Sequence, residues 1–121
     1  MKSSSSFTST AEPLFSPSGE IVYELLRGET HTVAYIVIPP GKSSSAHFHK
    51  VSEETYTILA GTARLMIDNQ ELPYTPGQSC LIERDEVHQI FNAGTHNLEF
   101  LAICVPPWIP EDSYSPGEAP A

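Results

Sequence analysis

The sequence is poor in cysteine, in basic residues and in long apolar runs. Its two cysteines, Cys80 and Cys104, are too few for a disulfide framework and have no metal-ligand spacing. Six Lys and Arg stand against fifteen Asp and Glu, a formal charge of −9 with His neutral. Such a surface repels phosphate backbones and anionic headgroups, and no basic stripe offsets it, so neither nucleic acid nor a membrane is an expected partner. The longest uncharged apolar run, Val33 to Pro40, is far short of the ~20 residues of a spanning helix. Residues 1–10 hold one base and no apolar core, so no secretory signal is expected. Two buried, unpaired thiols and no export signal together predict a reducing, cytoplasmic setting. No eleven-residue window shows a convincing apolar repeat of 3.6.

What is present is a domain of 121 residues, enough for one core that buries roughly two thirds of the unfolded surface. Its ends differ in composition from its middle. Residues 2–10 are almost all Ser and Thr, and residues 106–121 carry five prolines. The expected division is a disordered tail over 1–12, a folded body over 13–107 and a Pro-rich tail over 108–121, with Trp108 and Ile109 packing back onto the body. Trp108 and this tail could form a partner surface or a lid. The middle reads as β: 33–38, 57–60, 63–67 and 98–105 are short and rich in β-branched and aromatic residues. Turn chemistry separates them at Pro39-Pro40-Gly41, Ala60-Gly61, Asp68-Asn69-Gln70, Pro76-Gly77 and Asn92-Ala93-Gly94. Regularly spaced short strands predict an all-β sandwich or barrel. The runs 33–38 and 100–105 are apolar on both faces, which predicts a cover beyond solvent, such as a second copy.

Chemistry concentrates in the histidines. His47 and His49 sit two apart, so on an extended chain both rings point to one side and Phe48 to the other. Glu54 opens the next strand, and Tyr56, Ile58 and Ala60 share its face. His88 comes from a second segment, with Ile90 and Asn92 on its face. Three neutral imidazoles and a carboxylate around an apolar cavity form a mixed nitrogen and oxygen site for a divalent transition metal: Fe, Mn, Ni, Zn or Cu. On a six-coordinate ion four such ligands leave two positions for water, substrate or oxygen.

These residues resemble the cupin family. Gly41, five residues, His47-Phe48-His49, four residues, Glu54, six residues and Gly61 match its first motif at every position. In the second, Gly77, His88 and Asn92 match, while Glu83-Arg84-Asp85 stands where Pro-x-Gly is usual. Asp tolerates the left-handed backbone that this turn requires, so Asp85 is expected to make it. The resemblance covers about residues 20–107. It implies a double-stranded β-helix (jelly-roll) barrel, one metal held by His47, His49, Glu54 and His88, and a homodimer. Glu53 competes with Glu54 for the carboxylate role, and the distance to Gly61 favours Glu54.

Other residues have two readings each. Tyr56 could act as a general acid or base, as a Tyr at this relative place does in some cupin lyases, or form the cavity wall. Arg64 could clamp a substrate carboxylate or form a surface ion pair, and the ion pair is the better expectation. Gln89 and His96 read as surface or supporting residues, and His31 as strand surface. Cys80 and Cys104 could tune a metal site or fill space, and space-filling is favoured. The resemblance alone does not choose a reaction. The expected function is a metal-dependent enzyme acting on a small polar organic molecule, a dioxygenase-like oxidoreductase ahead of an isomerase or lyase. The competing expectation is a non-catalytic metal- or small-ligand-binding barrel.

Overall fold

The structure is a computed structural model that describes residues 1–8 and 12–117. The expected N-terminal tail includes residues 9–11 and the C-terminal tail 118–121, which lie outside the described residues. Among the described residues nine strands follow in order: β1 (Leu14–Phe15), β2 (Ile21–Arg27), β3 (Thr32–Ile38), β4 (Glu53–Ala60), β5 (Ala63–Ile67), β6 (Gln70–Tyr74), β7 (Ser79–Ile82), β8 (His88–Asn92) and β9 (Leu98–Val105). A short 3-10 turn, Pro110–Asp112, comes last. Among the described residues no helix is long and apolar enough to cross a membrane.

All named strand pairs are antiparallel. One sheet runs β1-β2-β3-β9-β4-β7, and a smaller one runs β6-β5-β8. The segment before β4 extends the small sheet without forming a named strand: Ser43 bridges Phe91 and His47 bridges His88. The core lies between the sheets. Ile36 and Ile38 of β3, Tyr56 and Ile58 of β4 and Phe100 of β9 meet Ala63 and Leu65 of β5 and Ile90 of β8. Period-two burial explains why. Along β9 the residues Leu98, Phe100, Ala102 and Cys104 are buried and alternate with partly exposed ones.

Two strands depart from plain alternation. On β4, Glu54, Tyr56 and Ile58 share the inner face as expected, but the register against β9 shifts between Ile58 and Ala60. Ala60 therefore pairs with Glu99 and leaves that face, because a bulge inserts one residue and reverses the side-chain direction. A similar shift between Glu24 and Leu26 breaks the alternation of β2, which obscures this strand in the sequence. Strands β6 and β7 are short and mostly exposed, and carry little apolar signal. His31 lies just before β3 rather than on a strand: Gly28 N–H donates to its carbonyl at 2.9 Å and closes a turn.

The outer face of β3 has a cover from within the chain. Phe7 stacks on Tyr35 with ring centroids 4.8 Å apart, Tyr23 lies at 5.9 Å, and the Tyr35 hydroxyl donates to Glu99. Arg64 is ion-paired with Glu71 at 2.9 Å and sits over the Phe91 ring, as a surface residue. Gly61 allows the sharp return from β4 to β5 at φ +86°, and a Cβ there would lie 2.7 Å from Asn97 O and 2.9 Å from Leu98 Cα. Gly61→Ala is expected to lose about 1–3 kcal/mol of stability by urea unfolding. An unchanged midpoint would contradict the close approach.

Candidate metal centre

Four side chains meet at the inner surface of the barrel. His47 and His49 come from the segment before β4, Glu54 from β4 and His88 from the start of β8. One ligand atom from each lies within 4.8 Å of all the others. The backbone explains the convergence. His47 and His88 exchange both main-chain hydrogen bonds, at 3.0 and 2.8 Å, which sets their rings 4.2 Å apart. Phe48 points the other way and stacks on Tyr114 at 5.4 Å, so His47 and His49 share a side. The β4 alternation then turns Glu54 inward and leaves Glu53 partly exposed. His49, Glu54 and His88 are buried.

Proton placement decides what this cluster can do. His47 Nδ1 lies 2.8 Å from Ser45 O, His49 Nδ1 2.8 Å from Asp112 O, and His88 Nδ1 3.0 Å from Glu86 O. A carbonyl oxygen can only accept, so each Nδ1 must carry the proton. In a neutral ring this leaves an Nε2 lone pair, and all three aim at the same place. His88 Nε2 and His49 Nε2 approach Glu54 Oε1 to 3.2 and 3.5 Å, within ion-pair distance. Among the described residues Glu54 Oε1, His88 Nε2 and His49 Nε2 have no hydrogen-bond partner. Lone pairs packed against a carboxylate, without a donor and out of water, are costly unless a cation sits among them. The donor set therefore fits a single divalent transition metal, with His47, His49, Glu54 and His88 as its holders.

Burial works to raise the Glu54 carboxyl. Only with His49 and His88 protonated at Nε2 would their hydrogen bonds and charge outweigh burial and hold the group well below the usual carboxylate range. Burial, with His88 nearby, pulls His47 down to about 4, so this ring stays neutral and ready to coordinate. Cys104 sits directly opposite Glu54 in the β4–β9 register, and its thiol donates to Oε2 at 3.3 Å. Burial and the Glu54 charge push that thiol up, so it remains a donor. Cys104 is therefore more than filler: it orients the carboxylate so that Oε1 faces the histidines.

Two supports lie outside the ligand set. Asp85 takes φ +70° in the turn before β8, and its N–H donates to His49 O at 2.7 Å, so the unusual turn does hold its shape. Asp112, beyond the barrel strands, clasps the loop between His49 and Glu54. Its carboxylate accepts from the N–H groups of Lys50, Val51 and Ser52 at 2.9 to 3.2 Å, while its carbonyl fixes the His49 ring. A motif that ends at Asn92 holds no signal for this contact. Asn92 itself is structural: its amide donates to Ile38 O and His96 O. Gln89 Nε2 donates to Ser44 O at 3.0 Å, outside the ligand set.

A cavity of about 140 Å³ opens above the ligands. Tyr56, Ala34, Ile36 and Ala102 form much of its wall, and Trp108 lies at its edge, its N–H donating to Thr32 and its carbonyl accepting from Arg27. Burial, reinforced by the charges of Glu54 and Glu20, keeps the Tyr56 phenol protonated. Tyr56 belongs to the wall, two residues along the same face from Glu54.

A profile for the cupin domain matches residues 34–104, the stretch that contains all four ligands. The oxalate-binding protein of Thermotoga maritima is 32% identical over 82 residues, 68% of this chain and 68% of that one. A solved Thermotoga maritima structure described as a predicted oxalate decarboxylase superimposes with a TM-score of 0.71 at 28% identity, covering 80% of this chain and 92% of the other. A cupin family protein of Methanocaldococcus jannaschii with a double-stranded β-helix fold shares the fold, at TM-score 0.66 and 22% identity over 78% and 89% of the two chains.

Asp112→Ala removes the acceptor of three main-chain donors and loosens the support of His49. It is expected to weaken metal binding by about 10- to 100-fold, measured by competition with a chromogenic chelator. Equal affinity in the variant would show that the clasp does not bear on the metal.

Proposed function

Since the chain belongs to the cupin family, with its double-stranded β-helix fold, we propose that it binds one divalent transition metal and acts there as an enzyme on a small polar organic molecule. The observation that carries this reading is the set of buried, partnerless ligand atoms, His49 Nε2, His88 Nε2 and Glu54 Oε1, beside a cavity. His47, His49, Glu54 and His88 would hold the ion. When bound, such an ion supplies Lewis acidity to a chelated oxygen and, where it is redox-active, electron transfer. The chain's own residues supply the rest. The Nδ1 bonds fix the three rings, Cys104 steers Glu54, and the small apolar wall of Ala34, Ile36 and Ala102 limits water around the ligand. Within this class we favour a dioxygenase-like oxidoreductase acting on a bidentate ligand such as an enediol, β-diketone or α-hydroxy acid.

Tyr56 supports a second reading, an isomerase or lyase. Its protonated phenol faces the cavity beside Glu54 and can donate a hydrogen bond or a proton to a bound ligand. The likeness to an oxalate-binding protein supports a third, a non-catalytic holder of small chelating carboxylates. A homodimer is part of the proposal, because Val33, Val37, Leu101 and Ile103 on the outer face of β3 and β9 are only partly buried.

Elemental analysis of untagged protein purified without chelator tests the metal. About one Fe, Mn, Ni, Cu or Zn per chain is expected, lost in His49→Ala. No metal in the wild type, and none taken up on titration, would overturn the reading. The metal found selects the assay: oxygen consumption for Fe, Ni or Cu, isomerase and lyase screens for Mn or Zn. On the isomerase or lyase reading, Tyr56→Phe is expected to keep the metal and lose turnover. Full turnover in the variant would make Tyr56 wall alone.

A further inference from the structure

The cavity holds a second carboxyl group that the metal ligands do not use. Glu20 lies one residue before β2, and Glu20, Val22 and Glu24 alternate so that all three line the cavity. Glu24 is committed to Arg27, which approaches it through Nη2 at 2.6 Å and Nε at 3.1 Å. Glu20 has no such partner. Its main-chain carbonyl accepts from Ser16 at 2.8 Å, but among the described residues nothing donates a hydrogen bond to its carboxyl. No Lys or Arg lines the cavity. Lys42 lies over the neighbouring Gly19 without pairing with Glu20.

The groups that face Glu20 from the other walls are Glu54 and Tyr56 on β4, Cys104 on β9, and His47 and His49 from the segment before β4. None is a cation in the neutral-ring state that coordination requires. Burial, reinforced by the Glu54 charge, pushes the Glu20 carboxyl up to about 7. A part-buried carboxyl with no donor from the protein is satisfied only by water, a proton or a bound molecule.

We propose that Glu20 is the ligand-contacting carboxyl of this cavity and selects metal-chelating ligands that carry a further hydroxyl group over dicarboxylates. A free hydroxyl beside the chelating pair donates to Glu20, whereas a second carboxylate meets like charge and no donor. Hydroxylated acids, which chelate through a carboxylate and a 2-hydroxyl and keep another hydroxyl free, are the ligand class this wall fits. The inference rests on the metal-centred reading above and deepens it.

Oxalate and glycerate test the selection. Both are fully ionised above about pH 6, and both chelate divalent metals, but only glycerate keeps a free hydroxyl. Wild type and Glu20→Gln, each loaded with Mn(II), are titrated with the two ligands by calorimetry after metal content is measured. In Glu20→Gln the affinity for oxalate relative to glycerate is expected to rise about tenfold at pH 8. Glu20→Ala is expected to raise the same ratio, and this second variant serves where Glu20→Gln fails to fold. Equal ratios in both variants and wild type would overturn the role of Glu20 and leave the metal centre intact. Protein that takes up no Mn(II) at all would remove the metal-centred reading, and this one with it.

Discussion

Three lone pairs and a carboxylate are packed into one buried corner of this protein with nothing of opposite character among them. Each imidazole commits its Nδ1–H to a main-chain carbonyl, those of Ser45, Asp112 and Glu86, so in the neutral ring no donor is left for Glu54. The chain thus carries a local electrostatic cost that a cation relieves. Much of the surrounding structure holds that arrangement in place. The two-way bridge between His47 and His88 aligns two rings, and the Cys104 thiol takes one oxygen of Glu54 so that the other faces inward. The Asp85 turn and the Asp112 clasp brace His49 from behind.

The cavity built on this corner is chemically uneven. Its ligand side can bring imidazoles and one carboxylate to a metal, and its β4 side adds a protonated phenol. Its β2 side carries Glu20, a carboxyl without a partner, and its edge is set by Trp108, tied to Thr32 and Arg27. The candidate ligands and the Asp112 clasp thus come from other elements than the Glu20 and Trp108 walls, which belong to the β2 side and the segment after β9.

The ligand corner was legible in the sequence because its information is local. The spacing of His47, His49, Glu54 and Gly61 is a property of one continuous stretch, and period-two geometry turns such spacing into a shared face. The four strands of clearest β character, 33–38, 57–60, 63–67 and 98–105, were legible for the same reason: their β-branched and aromatic residues are contiguous. β2 escaped because a bulge at Glu24–Leu26 breaks its alternation, and Ala60 was placed on the wrong face because of a second bulge. Neither β6 nor β7 buries enough apolar surface to announce itself.

From the sequence alone come the acidic composition, its β character, the four candidate ligands and the prediction that Asp85 would make a left-handed turn. Tertiary structure alone decided that Asp112, 63 residues from His49, sets the tautomer of that ring. It likewise brought Cys104 opposite Glu54 and turned Glu20 into the same cavity. The physical reason is one of range. Backbone geometry carries a pattern across a few residues of strand, but which distant carbonyl, thiol or carboxyl faces the site depends on strand pairing and register, and these are settled only when the sheets close on a common core.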